Sequence, residues 1–187
     1  MQASTKARLK ILAVALLFIG PLAAAWLLYT AFPGQAPGGR THHGELNEPA
    51  VPLSGKGLEP AAGTAELPAF AEQWTFLQVT GERCGDACQD GLATTRQVRA
   101  LLHRRSTRVQ RVLVLADGGT VPPIEDHPDL AVYRGGRALR ETLGDQAPGT
   151  VFVVDPLGNW VLTYPAPVDA DGLFKDIKHL LKLSHIG

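Results

Sequence analysis

From Ile11 to Phe32 the chain reads ILAVALLFIGPLAAAWLLYTAF and contains no charged residue. No other feature restricts the folding of this sequence as tightly. A helix rises about 1.5 Å per residue, so a run of this length reaches across a hydrocarbon core of about 30 Å. The segment therefore predicts a transmembrane helix. Trp26 and Tyr29 stand near its far end, where interfacial aromatic residues belong, and Pro21 is tolerated within such a span. Lys6, Arg8 and Lys10 precede the run and no basic residue follows it until Arg40, which orients the N-terminus toward the cytoplasm.

Ala23, Ala24 and Ala25 also offer a small-residue cleavage site after a shorter apolar core, the pattern of a signal peptide. The apolar run continues past them, which favours a retained anchor. On either reading the rest of the chain is exported, in a Gram-negative-like cell to the periplasm, where cysteines oxidise unless a dedicated reductant acts on them. The expected plan is a cytoplasmic basic N-terminus (1–10), a transmembrane helix (11–32), a Pro/Gly-rich linker (33–69) and a folded periplasmic domain (70–187) of an inner-membrane, single-pass protein.

Lys and Arg number 18, as do Asp and Glu, so the charge balance points to no nucleic-acid partner. The chain of 187 residues has room for one ordinary domain with appendages. In that domain WTFLQV (74–79) and VQRVLVLA (109–116) are apolar and read as buried strands. Between them Cys88, Leu92, Thr95, Val98, Leu101 and Leu102 recur at steps of three and four, which predicts an amphipathic helix over 86–105. LAVYR (130–134) is a further strand and 136–143 a short helix. TVFVVD and NWVLTY flank DPLGN and form an antiparallel hairpin. Leu173, Phe174, Ile177, Leu180, Leu181 and Ser184 share one face of a terminal helix that Asp169 can cap. This order describes an α/β sheet with a parallel and an antiparallel half.

The only two cysteines, in GERCGDACQDG, fall where the first of these strands hands over to the first helix. Three chemistries remain open for Cys84 and Cys88. As thiolates they are soft ligands suited to Cu(I), and an imidazole would complete a trigonal copper site. As a dithiol they can exchange electrons: the unpaired amides of a helix N-terminus and Arg83 favour a thiolate, Asp86 opposes it, and Cys84 would attack while Cys88 resolves. As a fixed bridge they would close so small a loop that the unfolded chain is barely restrained. Within a regular helix, Cβ atoms four residues apart are about 5–6 Å from each other, too far for a bridge that needs about 3.8 Å. A disulfide therefore requires Cys84 to lie in the loop, which Gly85 permits.

Element order and cysteine loop resemble the thioredoxin superfamily, and more narrowly the Sco/SenC membrane-anchored cytochrome oxidase assembly proteins. The residues that carry this are CGDAC, which matches the Cys-x-x-x-Cys loop of that family, the late hairpin VFVVDPLGNWVLTYP, and the single N-terminal anchor. The resemblance implies a thioredoxin-like α/β fold with one N-terminal transmembrane helix. It also implies copper as a possible metal, and partnership with the copper-bearing subunit of cytochrome oxidase or with other assembly factors. Two positions depart from the family: Gln89 stands where a proline usually follows the second cysteine, and no histidine occurs from Asp145 to Thr150, where the third copper ligand is expected.

His127 in IEDHPDL is the remaining candidate ligand, from a loop able to fold over the cysteines. His103 follows Cys88 by 15 residues, about four helical turns, and is out of reach. His42 and His43, adjacent in the linker, read as solvated, as do His179 and His185 among lysines. Arg96, Arg99, Arg104, Arg105, Arg108 and Arg111 read as a solvated face before they read as a dock for an acidic partner. No phosphate loop, Ser-His-Asp signature or zinc-ligand pair supports a hydrolase. The sequence thus points to cytochrome oxidase biogenesis by thiol-disulfide exchange or copper delivery through Cys84 and Cys88. The alternative is a non-catalytic assembly or docking partner whose cysteine pair is structural or vestigial.

Overall fold

The computed structural model describes residues 2–31, 42–66, 69–70 and 72–184. They form two compact units, one within Met1–Thr41 and the other within His42–Gly187. The first contains α1 (Gln2–Ala31), a helix of 30 residues with Pro21 inside it. Leu16, Leu17, Phe18, Leu22 and Trp26 are all exposed within it. The side chains of Ile11, Leu12 and Tyr29, and all of Phe32, lie outside the description. Among the described residues no helix is long and apolar enough to cross a membrane.

The second unit is built on β3 (Trp74–Val79), in which every residue but the last is buried. A strand covered on both faces needs apolar residues without alternation, and WTFLQV supplies them. It pairs in parallel with β4 (Val109–Leu115), which pairs in parallel with β5 (Leu130–Gly135). On its other side β3 runs antiparallel to β6 (Val151–Val154), which forms the expected hairpin with β7 (Asn159–Tyr164). The hairpin turn is tied by Asp155, whose carboxylate accepts from the Leu157 and Asn159 amides at 2.9 and 2.8 Å.

Helix α2 (Asp86–Leu101) and α4 (Ala170–Leu183) cover one face, and α3 (Arg137–Leu143) the other. The split follows the alternation of β4: Leu113 and Leu115 pack beneath the cysteines and Leu92, while Val112 and Val114 pack with Leu139 and Leu143 of α3. The expected helix over 86–105 stops early, at Leu101, and a 3-10 turn (His103–Arg108) carries the chain into β4. His103 itself has a positive φ of 49°, a conformation that ends a regular helix. Asp169 caps α4 as expected, accepting from the Gly172 amide at 3.1 Å.

The stretch read as a linker is only partly one. Residues 33–41 lie outside the described residues, but β1 (Glu45–Pro52) and β2 (Leu58–Gly63) close the two edges of the sheet, in the order β1-β7-β6-β3-β4-β5-β2. Both are proline-bearing edge strands with a register shift, where a missing amide donor leaves no central ladder bond unmade. Before β1, the chain is fastened by Asp176 of α4. This carboxylate, 4% exposed, accepts from the His43 and Gly44 amides at 2.7 and 3.1 Å, from His43 Nδ1 at 2.9 Å and from the Tyr164 hydroxyl at 2.5 Å. His43 is therefore not merely solvated. It holds the lead-in onto the terminal helix.

Burial alone would raise the Asp176 carboxyl pKa, but the Tyr164, His43 and amide hydrogen bonds outweigh it and hold the group below its usual range. A depressed folded-state pKa contributes stability that is complete above the ordinary carboxylate value of about 3.9 and is lost as pH falls through the folded value. Asp176→Ala, which strands these buried donors, is expected to cost roughly 2–3 kcal/mol. Urea unfolding of the full chain at neutral pH measures this loss, and below about pH 4 the difference between the two proteins should shrink.

Candidate functional site

The carboxyl end of β3 delivers the chain into a tight loop and then into α2. Gly85 is the extended residue before the first helical turn, so Cys84 lies outside the helix and Cys88 within it. That is the arrangement a bridge requires. The two cysteines form a disulfide with Cα atoms 5.2 Å apart. Cys84 is 9% exposed and Cys88 2%, so both are buried and the first is the less deeply so.

The loop is held from several sides. Thr80 Oγ1 donates to the Arg83 carbonyl at 2.9 Å, and the Ala116 and Thr120 amides donate to the Gly81 and Glu82 carbonyls at 3.2 and 2.8 Å. Gln89, standing where the resembled family has proline, donates its side-chain amide back to the Cys84 carbonyl at 3.2 Å. Beneath the helix, buried Gln78 donates Nε2 to the Cys88 carbonyl at 3.3 Å, and its Oε1 has no partner. Two glycines permit this packing. A Cβ on Gly91 would lie 2.4 Å from Gln78 Nε2, and one on Gly149, whose φ is +87°, would lie 2.3 Å from the Ala87 carbonyl oxygen. The loop before β6, where the resemblance would place a ligand histidine, thus meets the first turn of α2 as bare backbone.

His127 is turned to another task. The guanidinium of Arg111 on β4, 1% exposed, donates to Thr95 Oγ1 at 3.1 Å, to the Leu92 carbonyl at 2.6 Å, to Asp129 at 2.8 Å and toward His127 Nδ1 at 3.3 Å. Nδ1 accepts in this contact, which fixes the neutral tautomer with its proton on Nε2. Among the described residues no group of three or more His, Cys, Asp or Glu side chains could hold a metal ion. His127 is therefore not brought together with Cys84 and Cys88. Among the described residues the donor set near the loop is two sulfurs, which suits a two-thiolate Cu(I) site in the reduced protein.

The arginines divide as well. Arg104 and Arg105 are exposed, as a solvated face predicts, and so are His103 and His179, while His185 lies outside the described residues. Arg99 instead donates to the Val109 carbonyl at 2.6 Å and pairs with Asp129 at 3.0 Å, and Arg96 donates to the Asp126 carbonyl. Arg108 donates to the Leu181 and Ser184 carbonyls, both at 2.9 Å, at the end of α4. Sequence spacing does not reveal these contacts, because Arg111 sits in a run otherwise apolar enough to be read as a plain strand.

Residues 74–184 match the family described as the transmembrane-like, thioredoxin-like, C-terminal domain. The chain belongs to this thioredoxin-like family. Apo Sco1 of Thermus thermophilus superposes with a TM-score of 0.56 at 22% identity, covering 76% of this chain and 99% of its own. A Chlorobium tepidum protein described as a putative thiol:disulfide interchange protein DsbE gives 0.55 at 18% identity, covering 71% and 96%. BsSco, described as a Sco-family cytochrome c oxidase assembly protein with a disulfide switch, gives 0.54 at 12%, covering 75% and 99%. At these identities the likeness is one of fold. No curated protein matches the sequence.

Burial lowers the His127 pKa, and the positive Arg111 and Arg96 lower it further against the opposing Asp126 and Asp129. Its midpoint in a ring-proton NMR titration should fall below the ordinary histidine value of about 6.5. Because the folded value is the lower one, the stability His127 contributes is complete above that ordinary value and is lost as pH falls toward the folded midpoint. A midpoint at or above the ordinary value would contradict the contact with Arg111.

Proposed function

We propose that this protein is a membrane-anchored thiol-disulfide exchange protein of the Sco-like thioredoxin-fold class, acting in cytochrome c oxidase biogenesis through Cys84 and Cys88. The observation that carries the reading is the bridge itself. It joins Cys84 in the loop, the less deeply buried of the two, to Cys88 in the helix, at the carboxyl end of the central strand. Placing the two sulfurs in attacking and resolving positions is what a reversible dithiol needs. The oxidase pathway and its copper-bearing subunit as partner come from the Sco resemblance. The anchor rests on the uncharged run from Ile11 to Phe32, with apolar residues all round the helix and the basic residues before it.

In the reduced state, the Cys84 thiolate attacks one sulfur of a disulfide on the target. One target thiolate leaves and a mixed disulfide forms. Cys88, deprotonated, then attacks the Cys84 sulfur, releasing the second target thiolate and closing the Cys84–Cys88 bridge. Two electrons have passed to the target, and a dithiol reductant in the same compartment must restore the pair. Gln89 and Gln78 hold the Cys84 and Cys88 carbonyls and so keep the loop and the helix start in place during exchange.

Copper delivery is the second reading, favoured by the soft two-thiolate donor set, with Cu(I) as cargo on the reduced pair. A docking partner with an inert bridge is the third. Cys88→Ser should accumulate a mixed disulfide through Cys84 on non-reducing gels, while Cys84→Ser should form none, and both variants should lower oxidase activity in cells. Full oxidase activity in both variants would leave only the docking role. Tight one-to-one Cu(I) binding that is lost in either variant, without any mixed disulfide, would turn the assignment to copper.

A further inference from the structure

Cys84 is buried although Arg83 and Gly85 on either side of it are exposed, so its side chain is turned inward. A thiolate that opens a disulfide has to reach one of its sulfurs, and two buried cysteines leave little room for that approach. What covers them is shown by the apolar cluster to which they belong. Its other buried members are Leu92 of α2, Leu113 and Leu115 of β4, and Leu130 and Val132 of β5, all fixed in helix or sheet. Partly buried Ala61 and Ala62 belong to the edge strand β2. Apart from Cys84 itself, only Val121 and Ile124 among the described members come from a segment outside any helix or strand.

That segment, residues 119–126 between β4 and β5, is a strap tied down at its two ends. At its start the Gly119 carbonyl accepts from Arg134 Nε at 3.1 Å, and the Thr120 amide donates to the Glu82 carbonyl at 2.8 Å. Gly119 is buried so close to the cysteine loop that a Cβ there would stand 3.2 Å from the Gly81 carbonyl oxygen. At its end Arg96 of α2 donates to the Asp126 carbonyl. Among the described residues no hydrogen bond joins Val121, Ile124 or Glu125 to the cysteine loop or to α2. Pro122 and Pro123 have no amide to donate. The middle of the strap is therefore held down by the apolar contacts of Val121 and Ile124, and lifting it breaks no hydrogen bond to either element.

We propose that this strap is a gate over the Cys84–Cys88 bridge, shielding the pair when seated and admitting an attacking thiolate when lifted. The inference rests on the thiol-exchange reading and adds a regulation to it: opening of the strap sets the rate at which the bridge is reduced. Two successive prolines stiffen the strap, so it moves as a unit. A segment with few hydrogen bonds to the fold belongs to the part of a domain that opens without global unfolding. Once it is lifted, a thiolate of a dithiol reductant attacks the Cys84 sulfur and Cys88 leaves as a thiolate. The second thiolate of the reductant then attacks its own sulfur in the mixed disulfide and releases Cys84. Two electrons have passed to the pair, and the reductant departs as a disulfide.

The test is the rate at which dithiothreitol reduces the bridge in the full-length protein in detergent micelles, followed by labelling of the freed thiols. Replacing both contacts, Val121→Ala with Ile124→Ala, leaves the end ties in place and should speed reduction at least about tenfold. Leu181→Ala is the comparison, since it opens a cavity in the separate core cluster beneath α4 and weakens the domain without touching the strap. It should leave the rate unchanged, as opening by the strap alone requires. Equal acceleration in Leu181→Ala would mean that the bridge is reached by global unfolding. That result, an unchanged rate in the double variant, or a bridge that dithiothreitol opens in neither protein would overturn the gate. Failure of the pair to equilibrate with glutathione would instead strike the exchange reading, and the comparison of rates would still stand.

Discussion

The buried guanidinium of Arg111 is the interaction on which the position of the cysteines depends. A charge 1% exposed inside a sheet is tolerable only when its donors are matched, and Arg111 finds matches on two elements at once: Leu92 and Thr95 of α2, and His127 and Asp129 of the loop before β5. Removing one partner of such a buried pair typically costs about 3–5 kcal/mol, since the other charge is left stranded. The same contacts fix α2 against β4, and with it Cys88, and draw His127 toward the arginine rather than toward the sulfurs. That no third ligand stands beside the cysteine pair among the described residues is in this sense a consequence of how the helix is fastened.

Much of the frame can be read directly from the residues. WTFLQV, VQRVLVLA and the DPLGN hairpin are strands because their apolar patterns leave no alternative, and α4 follows from Asp169 and the spacing of Leu173, Ile177 and Leu181. The requirement that Cys84 lie outside the helix followed from geometry alone and agrees with the cap at Gly85. What could not be read is whatever depends on partners far apart in sequence. His43 meets Asp176 across 133 residues, and nothing local marks either as a clamp. The edge strands β1 and β2 are hidden because prolines and glycines, which signal a linker, are also the residues that edge strands tolerate.

The cysteine loop and the Arg140 side chain of α3 both lie where the central strands end, on opposite faces of one sheet. Strand ends expose carbonyls and amides that the ladder no longer uses, and the chain satisfies them here in two ways. On one face the loop residues Thr80 to Glu82 bond to their neighbours after β4. On the other, the Arg140 guanidinium collects the Thr80, Leu115 and Gly135 carbonyls. The strand ends thus hold the Cys84–Cys88 disulfide on one face while the ends of the parallel strands are clamped on the other.

The central claim is that the Cys84–Cys88 bridge turns over. Equilibrating the full-length protein in glutathione buffers of graded redox ratio, while counting free thiols, tests it most directly. A smooth, fully reversible transition of two thiols, lying within the range of known dithiol oxidoreductases, roughly −120 to −270 mV, is the expected result. A bridge that stays closed at the most reducing ratio, or opens only when the domain unfolds, would contradict the account and make the pair a fixed part of the scaffold.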